Sequence, residues 1–435
     1  MPLVLQNAVL CDIDPPRVEA GNLRIDGGKI VARGNVKPSA GDEVIDCGGA
    51  VLLPGLVNGH THLYSALAVG MPAPPRAPKN FLEILQLVWW RLDRALDAEG
   101  IETSALIGAL EAVRCGTTTL IDHHASPNCI DGSLDLIERG LEKVGLRGVL
   151  CYEVTDRNGK SGREAGLEED RRYIAKCLKS RNGRFAALSG AHASFTLDDL
   201  SLIGIHQWAD EFGVGVHIHV AEDPCDDQIS RQRYKKPLME RLSLHQLLGP
   251  NSVLAHCIHL TDDDIDQLNE VQPTIAHNPR SNMNNAVGYA PLSKLKCPIM
   301  LGTDGIGADM FTEARTAWFK SCEARQGLSP GDILRMLAAS ARRASTSLGV
   351  TLGQLCVGAA ADVVITDYVP FTPLASENLA AHVIFALGSQ HVRHVMVEGG
   401  WVLRDRVVVC CDEAAARRRA IPVAARLWDR MAAIP

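Results

Sequence analysis

Histidine and acidic residues stand at the ends of short apolar runs throughout the middle of this chain. The first pair, His60 and His62, closes the run 54–62 with one residue between the two imidazoles. In an extended strand this spacing places both rings on one face, so two nitrogens can bind the same cation. Imidazole pairs suit borderline divalent ions such as zinc or ferrous iron. An HxH pair by itself is a weak signal, and its meaning depends on the other strand ends.

Eight apolar runs alternate with longer amphipathic stretches, a texture typical of parallel strands joined by crossover helices. Eight such units predict an α/β fold of the (β/α)8 TIM-barrel type, whose active sites lie at the carboxyl ends of the strands. Because histidine is rarely used to fill a core, its clustering at these ends favours a functional site over packing. Seven of the eight ends carry a histidine or an aspartate: His60 and His62, Asp122 and His123, His192, His217 and His219, His256, His277, and Asp304. The remaining end, at 150–153, carries neither.

Both ends of the chain have a different texture from its middle. Short β-type runs separated by turn residues occupy the first fifty residues, and similar runs return at 361–366 and 392–398. This pattern predicts a small β-sandwich domain built from both termini. We place that domain at 1–54 and 351–435, and the metal-dependent barrel at 55–350.

The composition of the chain indicates which kinds of molecule it is expected not to bind. The chain has 44 basic and 51 acidic side chains, a net charge of −7, which gives no general attraction to nucleic acid or anionic lipid. No apolar stretch reaches the ~18 residues that span a bilayer. The thirteen cysteines contain no CxxC pair, and the N-terminus lacks a signal-peptide pattern. We therefore expect a soluble, cytoplasmic protein that uses neither a membrane nor nucleic acid as a partner.

Longer motifs carry a family resemblance. The run Pro-Gly-Leu-Val-Asn-Gly-His-Thr-His at 54–62 resembles the strand-one signature of the amidohydrolase superfamily. The segment 217–222 resembles the strand-five HxxE element of its cytosine-deaminase and chlorohydrolase branch, and 253–256 and 301–305 resemble the strand-six and strand-eight motifs. The resemblance covers essentially the whole chain. The stretches 89–96, 121–127, 278–285 and 302–311 are most similar to the SsnA-like aminohydrolases.

The resemblance implies a metal centre. His60, His62, His219 and Asp304 would hold one divalent ion, zinc as the first expectation, with iron or manganese as alternatives. A position left open for water would make the site catalytic, and the ion would lower the pKa of that water toward ~7. Binuclear relatives bridge their metals with a carboxylated lysine on strand four. Since 188–194 has no lysine, one ion is expected.

The resemblance also implies the proton-transfer residues. Glu222 would move a proton onto a ring nitrogen of the substrate, which makes the neighbouring carbon more electrophilic. His256 would hydrogen-bond the attacking hydroxide, and Asp304 would accept its proton and pass it to the leaving group. Steps of this kind typically contribute ~10²–10⁴ in rate.

Substrate contacts are expected from aromatic, amide and guanidinium groups that suit a flat nitrogen heterocycle. The candidates are His192, Trp90, His123, Arg280 and Asn282, with Trp89 and Arg91 beside Trp90. Core positions for Trp89 and Trp90 are an equally good interpretation. His217 could ligate the metal, but a place behind the ligands or in lower-barrel packing is favoured. His277 could line the pocket or pack.

These expectations define the function. The first hypothesis is hydrolytic deamination of an amino-substituted nitrogen heterocycle, with release of ammonia. Ring-opening hydrolysis of a cyclic amide or ureide at the same site is the alternative, and dechlorination or deamination of a triazine-like ring is a variant. A scaffold that has lost catalysis is disfavoured because every expected site residue is present. The family resemblance further implies a homo-oligomer, a dimer or larger.

Overall fold

Five strands open the chain, because its β-type runs are separated by residues that accept turns. The structure, a computed structural model, describes residues 2–434. Gly27 and Gly28 join the second and third strands with φ of 55° and 78°, a left-handed turn that glycine adopts without strain. The strands are β1 (Leu3–Ile13), β2 (Pro16–Asp26), β3 (Lys29–Gly34), β4 (Glu43–Asp46) and β5 (Val51–Pro54).

Parallel strands then alternate with helices. They form two sheets, ordered β6–β7–β8–β9 and β10–β11–β12–β13–β14. Leu188 alone separates β9 from β10, so these two are consecutive segments of one strand path. The strands are β6 (Leu56–Thr61), β7 (Thr117–His124), β8 (Arg147–Tyr152), β9 (Phe185–Ala187), β10 (Ser189–Ala193), β11 (Val216–Val220), β12 (Val253–His256), β13 (Thr274–His277) and β14 (Ile299–Leu301).

Backbone hydrogen bonds join the two parallel sheets at both of their edges. At one edge the amide of His192 donates to the carbonyl of Val154 over 3.0 Å. At the other, the amide of Thr303 donates to the carbonyl of His60 over 2.9 Å, and Thr61 forms a parallel bridge with Asp304. The predicted α/β architecture with parallel strands is confirmed.

Helices cover these strands, and several begin at the caps that their sequence provides. Thr261 and Asp264 form a capping box at the start of α9, and Ser329 and Asp332 form another at α12. One π-helical turn, Leu85–Trp89, joins α1 to α2. The helices are α1 (Phe81–Ile84), α2 (Trp90–Ala95), α3 (Ala98–Arg114), α4 (Ser133–Val144), α5 (Gly159–Ser180), α6 (Asp199–Phe212), α7 (Cys225–Tyr234), α8 (Leu238–Leu244), α9 (Asp262–Val271), α10 (Pro279–Asn284), α11 (Met310–Glu323), α12 (Pro330–Leu348), α13 (Leu379–Phe385) and α14 (Glu413–Ala433). None of the helices within residues 2–434 is long and apolar enough to cross a bilayer.

Strands from both ends of the chain share one sheet of nine strands. The late strands are β15 (Val363–Thr366), β16 (Val392–Val397), β17 (Gly400–Arg404) and β18 (Val407–Val408). The order is β18–β17–β16–β15–β5–β1–β2–β3, with β4 paired to β1, and β15 meets β5 antiparallel. The sandwich packing and the domain boundaries expected from the sequence stay predictions.

The last helix, α14, packs on the helices that follow the first parallel strand. Arg91 donates to the carbonyls of Met431 and Ile434 over 3.0 and 2.6 Å, and the indole of Trp428 donates to the carbonyl of Leu67 over 2.9 Å. The sequence had suggested that Arg91 contributes to a substrate pocket. In the structure its guanidinium instead binds the C-terminal helix. Its neighbour Trp90 takes a different direction, described below.

A buried ion pair links the parallel strands to the terminal sheet. Arg147, at the start of β8, donates from Nε and Nη2 to the two carboxylate oxygens of Asp362 over 2.8 and 3.0 Å. The two side chains are 1% and 2% exposed. Since removal of Asp362 leaves the buried Arg147 with only the partly exposed Glu398, 2.9 Å away, as counter-charge, we expect Asp362→Ala to lower the free energy of unfolding by about 3 kcal/mol. Denaturant titration measures this.

A matched control lies on the same edge. Arg184 pairs with Glu398 at 2.7 Å, but the two side chains are 35% and 29% exposed. Arg184→Gln should cost below about 1 kcal/mol. Equal losses in Asp362→Ala and Arg184→Gln would contradict a special role for the buried pair.

Candidate metal centre and active site

The four predicted metal ligands meet at the carboxyl ends of three strand paths. The Nε2 atom of His62 lies 2.9 Å from Oδ1 of Asp304 and 3.2 Å from Nε2 of His219. The Nε2 atom of His60 lies 3.4 Å from the same Asp304 oxygen. All four residues are buried. His62 thus contacts both Asp304 and His219, while His60, His219 and Asp304 belong with His256 to a group whose ligand atoms all lie within 4.8 Å of one another.

Two of these imidazoles are oriented by backbone carbonyls. The Nδ1 atom of His62 donates to the carbonyl of His123 over 2.6 Å, and Nδ1 of His219 donates to the carbonyl of His192 over 3.0 Å. With Nδ1 protonated in this way, each Nε2 presents its lone pair to the centre. Such outer contacts are how proteins fix the tautomer of metal-binding histidines.

His217 supplies the corresponding contact for His60. Its Nε2 lies 2.8 Å from Nδ1 of His60, which leaves Nε2 of His60 free. That atom is buried and has no hydrogen-bond partner within the described residues, as expected of a ligand atom rather than a structural one. The donor set, its convergence and this orphaned nitrogen fit a divalent cation. His217 stands behind His60 in this arrangement.

The electrostatics of the centre favour a cation. Burial raises the pKa of Asp304, but hydrogen bonds and positive charge from His60 and His62 outweigh it and hold that pKa well below its usual range. Burial lowers the pKa of His60 to about 4. Burial also lowers the pKa of His62, but the hydrogen bond and charge of Asp304 raise it overall to about 9. Without a bound cation, Asp304 is therefore an anion beside a protonated His62, and a divalent cation would take the place of the proton on Nε2 of His62.

Several residues of the site have strained backbone conformations, which set the direction of their side chains. His256 and Asp304 follow their strands with φ of 74° and 53°, in the left-handed region that non-glycine residues rarely adopt. Ala221, directly before Glu222, has φ of 50°. Strain of this kind persists where the surrounding structure enforces it, and it clusters at active sites.

The three predicted proton-transfer residues lie together beside the centre. The Nδ1 atom of His256 donates to Oδ1 of Asn282 over 2.8 Å, so its Nε2 carries a lone pair. This Nε2 lies 3.4 Å from Oε2 of Glu222 and 3.9 Å from Oδ2 of Asp304. Burial raises the pKa of Glu222 to about 7, because the charged form is poorly solvated there. A carboxyl group with such a pKa can hold a proton near neutral pH and release it.

A cavity with aromatic walls opens onto this group. Trp89 and Trp90 both line it, and the π-helical turn before Trp90 carries Trp89 into the wall. The Arg157 guanidinium lies over the Trp90 ring at 4.6 Å. The other lining residues are His62, Tyr64, Ser65, Phe81, Leu85, Asp93, Glu153, His192, Ala193, Phe195, His219, Glu222, Asp223, Asp226, Ser281, Asn284, Asn285, Asp304, Gly305 and Ile306.

The other substrate contacts expected from the sequence lie elsewhere. His123 stacks on His217 with ring centroids 4.4 Å apart, behind the metal ligands. Arg280 forms an ion pair with the buried Glu313 and donates to the carbonyl of Ile306. Asn282 orients His256. The described residues that line the cavity include none of these three, His123, Arg280 and Asn282.

Helix α10 explains why the sequence pointed to the wrong neighbours. The segment after β13 is a short helix, so residues four apart share a face. Ser281 and Asn285 face the cavity, whereas Arg280 and Asn282 point away from it. The Ser281 hydroxyl donates to Oδ2 of Asp304, and Asn285 Nδ2 lies 3.4 Å from Oε1 of Glu222. Spacing of four would have revealed this pair if the segment had been treated as helical.

Glu153 is a further site residue that sequence reasoning missed. It follows β8, its Oε1 lies 3.1 Å from Nε2 of His192, and its Oε2 has no hydrogen-bond partner in residues 2–434. Burial raises its pKa to about 7. The signal was present, since Glu153 occupies the one strand end that seemed empty because only histidine and aspartate were counted.

Comparison with known proteins agrees with this geometry. The model of the amidohydrolase family matches residues 51–402, most of the chain. The chain belongs to the amidohydrolase family. The sequence-based assignment to amidohydrolases, and to hydrolases of carbon–nitrogen bonds other than peptide bonds, is confirmed. The finer similarity to SsnA-like proteins stays a prediction.

Individual relatives of this amidohydrolase cover nearly all of it. A 5'-deoxyadenosine deaminase of Methanosarcina mazei is 29% identical over 442 residues, 99% of each chain. A 5-methylthioadenosine/S-adenosylhomocysteine deaminase of Desulfitobacterium hafniense is 31% identical over 387 residues, 85% of each. Among solved structures, an adenosine deaminase from Xanthomonas campestris with bound zinc has a TM-score of 0.84 at 23% identity, over 98% of each chain. This last likeness supports the fold.

Proposed function

We propose that this amidohydrolase removes the exocyclic amino group of an adenine-type nucleoside as ammonia. The observation that carries the proposal is the convergence of His60, His62, His219 and Asp304 beside Glu222 at the floor of an aromatic cavity. The two relatives named for deamination of adenosine derivatives support this choice of substrate class. Two stacking walls and several acceptors suit an aminopurine.

The cation expected at this centre is zinc, because three imidazole nitrogens and one carboxylate form a donor set typical of catalytic zinc. Such an ion lowers the pKa of a coordinated water toward neutrality. The tautomers of His62 and His219 already direct their lone pairs to this point. These two side chains would therefore need little movement to bind the metal. The bound zinc of the Xanthomonas campestris deaminase supports the same metal.

The chain's own residues then divide the proton movements. Asp304 Oδ2, held by the Ser281 hydroxyl, accepts a proton from the attacking water. His256, whose orientation is fixed by Asn282, accepts a hydrogen bond at Nε2 from the oxygen of the attacking water. Glu222 delivers a proton to the ring nitrogen beside the carbon under attack. As the carbon–oxygen bond forms, Asp304 passes the proton it accepted to the amino group, the carbon–nitrogen bond breaks and ammonia leaves. The proton that remains on the new hydroxyl group returns to Glu222 as the ring carbonyl forms, so both carboxyl groups end in their starting states.

The surrounding fold is proposed as a closed (β/α)8 barrel, supported by the hydrogen bonds at both edges of the parallel sheets. The boundaries 1–54, 55–350 and 351–435 are proposed for its two units. In this division α14 belongs to the terminal unit and packs against the barrel through the contacts of Arg91 and Trp428. The cytoplasmic location and the homo-oligomeric state stay predictions.

The proposal is tested with a substrate panel. Purified metal-loaded enzyme is incubated with adenosine, 5'-deoxyadenosine, 5'-methylthioadenosine, S-adenosylhomocysteine, adenine, guanine, cytosine, cyclic ureides and chlorotriazines. Ammonia and ring absorbance are followed together. We expect ammonia with the purine chromophore retained, and a preference for nucleosides over free bases. Loss of the chromophore would indicate ring opening, and chloride release would indicate dechlorination.

Metal removal gives an independent prediction. Dialysis against a strong chelator should abolish turnover and lower Tm, because the folded state loses a ligand that the unfolded chain does not bind equally. Elemental analysis should find one ion per chain, and zinc should restore both properties. Two equivalents of tightly bound metal would contradict the mononuclear site and would point to His192 and Glu153 as additional ligands.

A further inference from the structure

Arg343, on α12, is a buried arginine that faces no carboxylate. It is 7% exposed, and within residues 2–434 no acidic side chain pairs with it or contributes to its pKa. Burial lowers that pKa to about 10. The other buried arginines have acceptors for their charge: Arg147 pairs with Asp362, Arg241 pairs with Asp199, and Arg91 donates to three backbone carbonyls of the C-terminal segment. Arg343 is therefore a buried positive charge without a protein counter-charge.

The guanidinium has unused hydrogen-bonding capacity. Its Nη2 donates to Oγ of Ser347 over 3.2 Å, one turn later on the same helix. Its buried Nε has no hydrogen-bond partner among residues 2–434. Because Ser347 accepts from Nη2, its own hydroxyl proton is available to a second acceptor. Burial of a charge without a partner is costly, so such a group needs either solvent or a ligand of opposite charge.

Arg343 and Ser347 both line a cavity of about 510 Å³. Its wall includes the segment 185–188 at the start of the strand path β9–β10, the glycine-flanked segment 213–215 before β11, and Arg181. These are the amino ends of the strands, whereas the metal ligand His219 lies near the carboxyl end of β11. The described lining contains two arginines and no aspartate or glutamate. The cavity is therefore a cationic site at the opposite end of the strands from the catalytic centre.

We propose that this cavity binds a small oxyanion, a phosphate or carboxylate group, with Arg343 as its principal ligand and the Ser347 hydroxyl as a second donor. The planar guanidinium presents parallel N–H groups that match two oxygens of such an anion. Arg181 at the rim adds long-range attraction. The proposal does not depend on the deaminase assignment, because the cavity lies at the amino ends of the strands and contains none of the predicted metal ligands.

The test compares three variants with the wild-type holoenzyme. Arg343→Gln removes the positive charge, and Arg343→Lys keeps the charge but lacks the parallel N–H groups of a guanidinium. Arg342→Gln is the matched control. Arg342 precedes Arg343 on α12 but is exposed and pairs with Asp14 at 2.6 Å. Phosphate and acetate are titrated separately by calorimetry at constant ionic strength, and Tm is measured at each concentration. The two anions separate a phosphate ligand from a carboxylate ligand.

The wild type and Arg342→Gln should bind one of these anions with the same Kd, and Tm should rise by about 3 °C at 100 times Kd. Arg343→Gln should bind at least about tenfold more weakly, with Arg343→Lys between the two. Because phosphate can also reach a catalytic cation, the difference between Arg343→Gln and Arg342→Gln is the decisive quantity.

Equal affinities of Arg343→Gln and Arg342→Gln for both anions would overturn the proposal. So would the absence of measurable binding to the wild type. If Arg343→Gln does not fold, Arg343→Lys decides the question, since an unchanged Kd and Tm response in that variant would assign the wild-type binding to another place.

Discussion

Replacing Asp304 with alanine should lower kcat/KM by at least about 10⁴-fold, since one side chain serves both as metal ligand and as proton acceptor. Its Oδ1 atom meets His62 at 2.9 Å, and its Oδ2 atom receives the Ser281 hydroxyl. Without this carboxylate, three buried imidazoles would have to hold a cation with no negative charge beside them. Steady-state kinetics and elemental analysis of the same preparation measure both losses.

A nearby aspartate supplies the control. Asp309 caps α11 by accepting from the amides of Phe311 and Thr312, each over 3.0 Å. Asp309→Ala should cost about 1 kcal/mol of stability as a lost helix cap, while turnover and metal content are retained. An Asp304→Ala enzyme that turned over at the wild-type rate would refute the metal-centre assignment.

Glu222→Gln should lower kcat by ~10²–10⁴ while the metal content stays at one ion per chain. The amide keeps the shape and the hydrogen bond from Asn285 but cannot deliver a proton to the substrate ring. Because Glu222 meets His256 rather than the ligand atoms at 3.4 Å, its loss separates proton transfer from metal binding. Glu240→Gln, an exposed substitution on α8, is the control for expression and folding.

The pH profile extends this prediction. Burial raises the pKa of Glu222 to about 7, and the protonated form is the one that donates. The wild-type kcat should therefore fall as pH rises through this value, and the residual activity of Glu222→Gln should lack that decline. A decline of the same shape in both enzymes would assign the titration to another group.

The metal ligands could be predicted from the sequence because their positions depend on local geometry. Residues two apart on a strand share a face, and parallel strands end at one edge, so the histidines of these strand ends were expected to converge, while the choice of His60, His62 and His219 as ligands came from the family resemblance. The placement of Asp304 after the last strand follows the same rule. For these residues the strand order alone determines the meeting point, and the structure has them in contact.

The walls of the cavity could not be predicted in the same way. The orientation of α10 decides that Ser281 and Asn285 face inward while Arg280 turns to Glu313. Arg91 is engaged by α14, some 340 residues later in the chain, a contact that no local pattern reveals. Trp89 ends a single π-helical turn, an irregularity that the spacing of residues does not reveal. Such contacts are set by tertiary packing, which residue type and spacing do not encode.

The link between Arg147 and Asp362 has a consequence for any attempt to isolate a minimal enzyme. The two residues lie 215 positions apart, and Arg91 reaches still further, to the carbonyls of the last helix. A fragment of residues 55–350 would retain all four predicted metal ligands. It would leave the Arg147 guanidinium without Asp362, and it would expose the face of α3 that α14 covers in the full chain. We therefore expect a fragment of residues 55–350 to fold less stably than the full chain, although it contains all four predicted metal ligands.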